Sequence, residues 1–182
     1  YKQAFAERCD ADKLLENNLW PLLNTLSEET AKSIMVDFFN LEESLEASMV
    51  VYMKGLEEGD PADVLAIYTK KEDGTFVTNA IGGERSLLYL GQKDDALFVM
   101  NQGANSAFQS GLFFYYMANQ ELVFLDGIVM DFEADAENPC FYVTEETWDV
   151  TDAAKLSNED AQAIMNSYEK VEMNDPMTLL DM

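Results

Sequence analysis

Asp131, Glu133, Asp135 and Glu137 place a carboxylate at every second position, and two chemistries use such groups: calcium coordination and acid-base cleavage of a glycosidic bond. A calcium loop of known type also needs a central glycine and a closing glutamate, and both are missing here. Alternation along a strand, with the acids facing solvent, explains the spacing equally well. A glycosidase needs only two carboxylates at a set separation, but 35 acidic residues leave no particular pair singled out. The chain has no histidine, which removes the usual general base, the usual metal ligand and every Ser-His or Cys-His nucleophile. Zinc would have to be held by Cys9, Cys140 and carboxylates without the paired cysteine spacing such sites use. Ile81-Gly82-Gly83-Glu84-Arg85 lacks the lysine and the spacing of a phosphate-binding loop and reads as a turn. No catalytic residue, metal site or cofactor is nominated.

Binding chemistry has better candidates. The stretch from Asn101 to Ser110 is long, polar and rich in small residues, and it lies between two apolar segments. Connections of that kind carry function more often than the scaffold does, although a plain crossover loop is the competing reading. Asn101, Gln102, Asn105 and Gln109 would supply its donors and acceptors. Arg85 would favour a carboxylate-bearing ligand, and Tyr115 could stack on one. Phe113, Phe114, Tyr115 and Tyr116 occupy both faces of one strand, so either a layer covers the second face or two rings stand free for a sugar or an apolar partner.

Charge restricts the partners. Eleven basic residues against 35 acidic ones give a formal net charge of −24 over 182 residues, which repels nucleic acid and anionic headgroups. Apolar residues make up 48%, enough for a folded core, so the charge belongs on the surface of one domain spanning 1–182. No segment is apolar enough to cross a bilayer, and a chain opening at Tyr1 reads as processed. Any membrane association would be peripheral, through an N-terminal anchor lost upstream. Cys9 and Cys140 either bridge or stay as two buried thiols, and the thiols are favoured.

The elements that must position these residues can be read from periodicity and turn chemistry. Hairpins are expected for 64–70 with 75–81 about Gly74, for 86–90 with 96–100 about 91–95, and for 112–117 with 122–125 about 118–121. Residues 141–144 would add a strand, and Ala47 to Lys54 another. Residues 1–60 read as mainly helical, with one helix from Asp10 to Trp20 before Pro21 and a second from Glu28 to about Phe39, capped by Ser27 and burying Ala31, Ile34, Met35 and Phe38. A closing helix opens at Ser157 and runs through 157–172, with Asp160 reaching back to its cap. Residues 174–182 read as a tail. The expected fold is α+β: a curved antiparallel meander of six or seven strands over 64–144, with N-terminal and C-terminal helices packed on it. Residues 26–38 and 156–168 share Leu-Ser, Glu, Ala, Ile-Met and an aromatic, a likeness that two capped amphipathic helices produce by convergence.

From Ala66 onward the chain resembles uncharacterised secreted lipoproteins of anaerobic Gram-positive gut bacteria. The shared features are Ile67, Tyr68, Lys71, Asp73 and Gly74, then Arg85, Tyr89 and Leu90, Gly103 and Ala104, Tyr115 and Tyr116, and Leu156, Ser157 and Glu159. The D-x-D-G segment that often precedes these strands in that group is missing, and with it any calcium role tied to it. The resemblance implies an extracytoplasmic, lipid-anchored domain at the cell surface or secreted, without an established activity. The combined expectation is a binding or interaction module for a small molecule or protein, favoured over an enzyme. A carboxylate-dependent hydrolase acting on carbohydrate is the alternative.

Overall fold

The computed structural model describes residues 33–42, 47–53, 63–70, 76–81, 86–173 and 177–178. Among them the backbone forms strands β1 (Ile34–Phe39), β2 (Ser48–Met53), β3 (Asp63–Lys70), β4 (Phe76–Ile81), β5 (Ser86–Lys93) and β6 (Ala96–Ala104). Strands β7 (Gln109–Ala118), β8 (Glu121–Asp131), β9 (Cys140–Val143) and β10 (Ala154–Lys155) follow, then the helix α1 (Asn158–Asn166), β11 (Glu169–Lys170) and β12 (Met177–Thr178). All the strands join one antiparallel sheet in the order β10-β9-β8-β7-β6-β5-β3-β2-β1-β12, with β4 paired to β3 and β11 to β5.

The three hairpins form where alternation and turn residues place them. Two of the turns are tighter than expected: Asp94 and Asp95 have φ of 50° and 64°, and Asn119 and Gln120 have φ of 52° and 67°. Positive φ at both central residues gives a two-residue turn whose twist matches the flanking strands. Glutamine is a poor occupant of that region, and Glu42 offsets the cost by accepting from the Asn119 and Gln120 amides at 3.2 and 3.1 Å. Gly91 therefore lies inside β5, where a Cβ would come within 2.8 Å of Met100 Sδ.

Face by face, the sheet separates two cores. One holds Leu88, Leu90, Val99 and Met117 together with Phe39, Leu41, Val50 and Tyr52, so the sheet rolls until the end of β1 meets the β7–β8 hairpin. Farther along the same face Phe113, Val129, Phe141 and Val143 pack with Val150 and Trp148. The opposite face of β6 to β9 lies under α1, where Ala161 covers Ile128 and Cys140, and Tyr168 stacks on Phe114 at 4.0 Å. Ser157 caps α1, its Oγ accepting from the Asp160 amide at 3.0 Å. Strands β1, β2 and β3 are buried on both faces: Ile34, Val36, Val50, Val51, Val64 and Ile67 all have 0% exposure.

The α+β expectation is overturned, because the described residues are mostly antiparallel sheet with one short helix. The second expected helix is the clearest case. Ile34 to Phe39 forms β1, paired with β2 from Ile34↔Met53 to Phe39↔Ser48. Val36, Phe38 and Phe39 suit a strand, and two-sided burial favours β-branched and aromatic runs over a single helical stripe. The likeness between 26–38 and 156–168 is thus not a structural repeat: Ile34-Met35 is strand, whereas Ile164-Met165 is helix. The expected tail contributes β12, which pairs with β1. The expected helix over 10–20, residues 28–32 and Cys9 lie outside the described residues. Cys140 is a free, buried thiol, and its Sγ donates to Asn158 Oδ1 at 3.3 Å.

Candidate ligand-binding rim

The polar stretch between β6 and β7 is shorter than its composition suggests. Asn101 to Ala104 pair with Phe113 to Ser110, so their backbone groups serve the ladder and not a ligand. Only Asn105 to Phe108 remain as connection. That segment is tightly braced, with the Asn105 and Ser106 amides donating to the Gln109 carbonyl at 3.0 and 3.3 Å. The Phe108 amide donates to Ser106 Oγ at 3.1 Å.

Gln109 is the organising side chain. Its Nε2 donates to Asp131 Oδ2 at 2.7 Å and to the Trp148 carbonyl at 2.8 Å, and its Oε1 accepts from Asn105 Nδ2 at 2.7 Å. With its Nε2 engaged twice and its Oε1 once, Gln109 braces the three segments. Asp131 in turn accepts from the Glu133 and Ala134 amides through Oδ1, each at 2.9 Å. Asp135 repeats that turn with Glu137 and Asn138 at 3.0 and 2.9 Å, and its Oδ2 takes Lys155 Nζ at 2.6 Å. Lys155 foremost, helped by the Asn138 amide, lowers the Asp135 carboxyl to about 2. The alternating acids are therefore two successive side-chain-to-backbone turns, not the solvent face of a strand. No cluster able to hold a metal occurs among the described residues.

The 144–153 segment closes the rim. Trp148 meets Phe113 edge-on at 4.9 Å, and Tyr115 donates from its hydroxyl to Glu146 Oε1 at 2.8 Å. Burial first, then that hydrogen bond, raises the Tyr115 phenol far above its ordinary value, while Asn101 pulls it the other way. Asp149 is lowered by Thr151, which donates from both Oγ1 and its amide at 2.6 and 3.0 Å. Between these pieces lies an open hollow of about 580 Å³, lined by Gln109, Asp131, Glu133, Trp148, Thr151 and Lys155 among others. Phe108 and Phe132, the chain neighbours of the lining residues Gln109 and Asp131, are half exposed at 55% and 50%. The Phe132 amide donates to the Phe108 carbonyl at 3.0 Å, which fixes the two residues side by side.

Of the residues that sequence reasoning selected, Asn105 meets Gln109, and Asn101 meets Tyr115. Gln102 projects to the opposite face and lines a separate hollow with Tyr89, Leu112 and Tyr168, as its place next to Asn101 in a strand requires. Arg85 lies outside the described residues. Phe108, Phe132, Trp148, Thr151 and Lys155 were not anticipated. The one sequence signal for them is an aromatic residue set in an otherwise polar turn. No family model, curated protein or solved structure matches this chain.

Proposed function

We propose that the protein is an extracytoplasmic binding module that docks a neutral or cationic glycan on the Phe108/Phe132 rim. The observation that carries this reading is the pair of half-exposed phenylalanines locked together by the Phe132 to Phe108 backbone bond. Leaving two rings half exposed at one turn forgoes half of the roughly 1.5–3 kcal/mol that full burial of each would contribute, and the backbone bond that holds the two residues together supplies a preorganised platform for the apolar face of a sugar ring. The hollow lined by their chain neighbours Gln109, Asp131 and Glu133 also offers Thr151 and Lys155 to hydroxyl groups. A net charge of −24 selects against anionic ligands. The extracytoplasmic setting is supported by the resemblance to secreted lipoproteins given above. Asp135 and Asp149 are both lowered, so neither is suited to be the raised general acid that the hydrolase alternative would need.

The test is calorimetric titration of a panel of neutral and amino-sugar oligosaccharides, with Trp148 fluorescence as a second readout and Trp20→Phe removing the other indole. Phe108→Ala and Phe132→Ala are expected to weaken binding at least tenfold each while leaving the melting temperature nearly unchanged. Binding that survives both substitutions, or no binding across the panel, would overturn the proposal.

A further inference from the structure

A second surface, at the far end of β6 and β7, has the character of a docking slot. The ladder between these strands stops at Val99↔Tyr115, although β6 continues to pair with β5 as far as Ala96 and β7 with β8 as far as Ala118. Where the strands part, an open hollow of about 690 Å³ is lined by Leu41, Leu97, Phe98, Tyr116, Met117 and Leu125 among others. Two of its lining residues are apolar and wet, Tyr116 and Leu125 with 38% and 40% exposure, and Val123, 37% exposed, sits directly opposite Tyr116 in the ladder. Leu125 is the unpaired residue of a bulge, since Tyr115 pairs with Phe124 and Phe114 with Asp126. Bulges re-aim side chains, and this one adds a third apolar group to the exposed patch.

Charge identifies the occupant. Asp95 and Glu42 belong to the hollow's wall, Asp94 precedes Asp95 in the turn, and Glu121 opens β8 beside Val123. Lys93, the nearest basic residue in sequence, is turned onto the Tyr168 ring at 4.7 Å. An apolar floor with an acidic rim, on a chain of −24, repels a second copy of itself and attracts a cation-bearing apolar segment. We infer that this slot docks a cationic amphipathic peptide segment of a partner protein, with an aliphatic or aromatic anchor against Leu125 and Tyr116 and lysine or arginine against Asp94, Asp95 and Glu121. The slot lies at the opposite end of β6 and β7 from Phe108, and the inference does not depend on the glycan reading.

The experiment measures fluorescence anisotropy of a labelled short leucine-lysine peptide against the full chain. The same peptide with glutamate in place of lysine is the control. Wild type is expected to bind the lysine peptide in a salt-sensitive manner and to ignore the glutamate one. Leu125→Ser should weaken binding about tenfold, the loss of roughly 1.4 kcal/mol of anchor burial. Asp94→Asn combined with Asp95→Asn keeps side chains that tolerate positive φ; it should weaken binding several-fold and flatten the salt dependence. Phe108→Ala should change nothing, which separates this slot from the rim. Circular dichroism and the melting temperature establish that the variants are folded. Equal binding by Leu125→Ser and wild type would reduce the attraction to general surface charge and overturn the inference, as would failure of the peptide to bind at low salt. Concentration-dependent dimerisation of the wild type, abolished by Leu125→Ser, would overturn it by naming a second copy as the occupant.

Discussion

Gln109 Nε2 lies 2.7 Å from Asp131 Oδ2, and this single bond makes one structural unit of the polar turn after β6 and the acidic turns after β8. The same amide nitrogen holds the Trp148 carbonyl at 2.8 Å, so three segments share one side chain.

Replacing Gln109 with alanine should therefore loosen the whole rim. Hydrogen bonds to a charged partner are worth about 1.5–3 kcal/mol and neutral ones about half that. The expected loss is about 2–3 kcal/mol, read as a lower denaturation midpoint. Faster amide exchange at Phe132 and around Trp148 should accompany it. A variant as stable as wild type would show the network to be dispensable.

Two glycines differ in what surrounds them. A Cβ at Gly127 would come within 2.6 Å of Phe113 Cδ1 and 3.2 Å of the Leu112 carbonyl, and Phe113 is itself wedged against Trp148 and Phe124. At Gly91 the obstacle is Met100, whose flexible thioether can move aside. Gly127→Ala is expected to cost about 1–3 kcal/mol and Gly91→Ala measurably less, both read from chemical denaturation. The reverse order would contradict the packing described.

How much of this was legible in the chain depended on range. The hairpins were, because apolar alternation and Gly, Asp or Asn turns are local. Strand β1 was not: Ser27, Ile34, Met35 and Phe38 satisfy a helical pattern, and only pairing with β2 and β12 decides otherwise. Asn101 to Ser110 read as loop because Asn, Gln, Gly and Ser are weak strand formers, yet neighbouring strands impose the ladder on six of the ten residues. The Gln109 network joins residues 22 and 39 positions apart, beyond the reach of any local pattern. Of the expected site residues, Asn105 and Gln109 are tied to each other and Asn101 to Tyr115, Gln102 faces the other way, and Arg85 lies outside the described residues.

Acid should release the Lys155 tether. Asp135 falls from 3.8 to about 2 in the folded protein, so its stabilising contribution is present above pH 3.8 and is lost as pH falls through about 2. The melting temperatures of wild type and Asp135→Asn should accordingly differ at pH 5 and converge toward pH 2. A constant difference across that interval would argue against the ion pair.

Monovalent salt should stabilise the fold. Raising ionic strength from about 0.01 to 0.15 M shortens the screening length from about 30 to about 8 Å, which weakens self-repulsion in a chain of −24. Calorimetry is expected to show a rising melting temperature over that range. A flat or falling one would mean that the charges are already locally compensated.

The pairing of β12 with β1 sets an order of assembly. Val36 waits for Met177, a partner synthesised about 140 residues later, while the meander from β5 to β8 closes through neighbours in sequence. On the ribosome the meander can form as it emerges, but the outer side of β1 has no β12 to meet until residues 177–178 have left the tunnel. Among the described residues nothing else pairs with that edge of β1, which during that interval is open to other nascent chains. The finished fold closes that edge only at the end of this order.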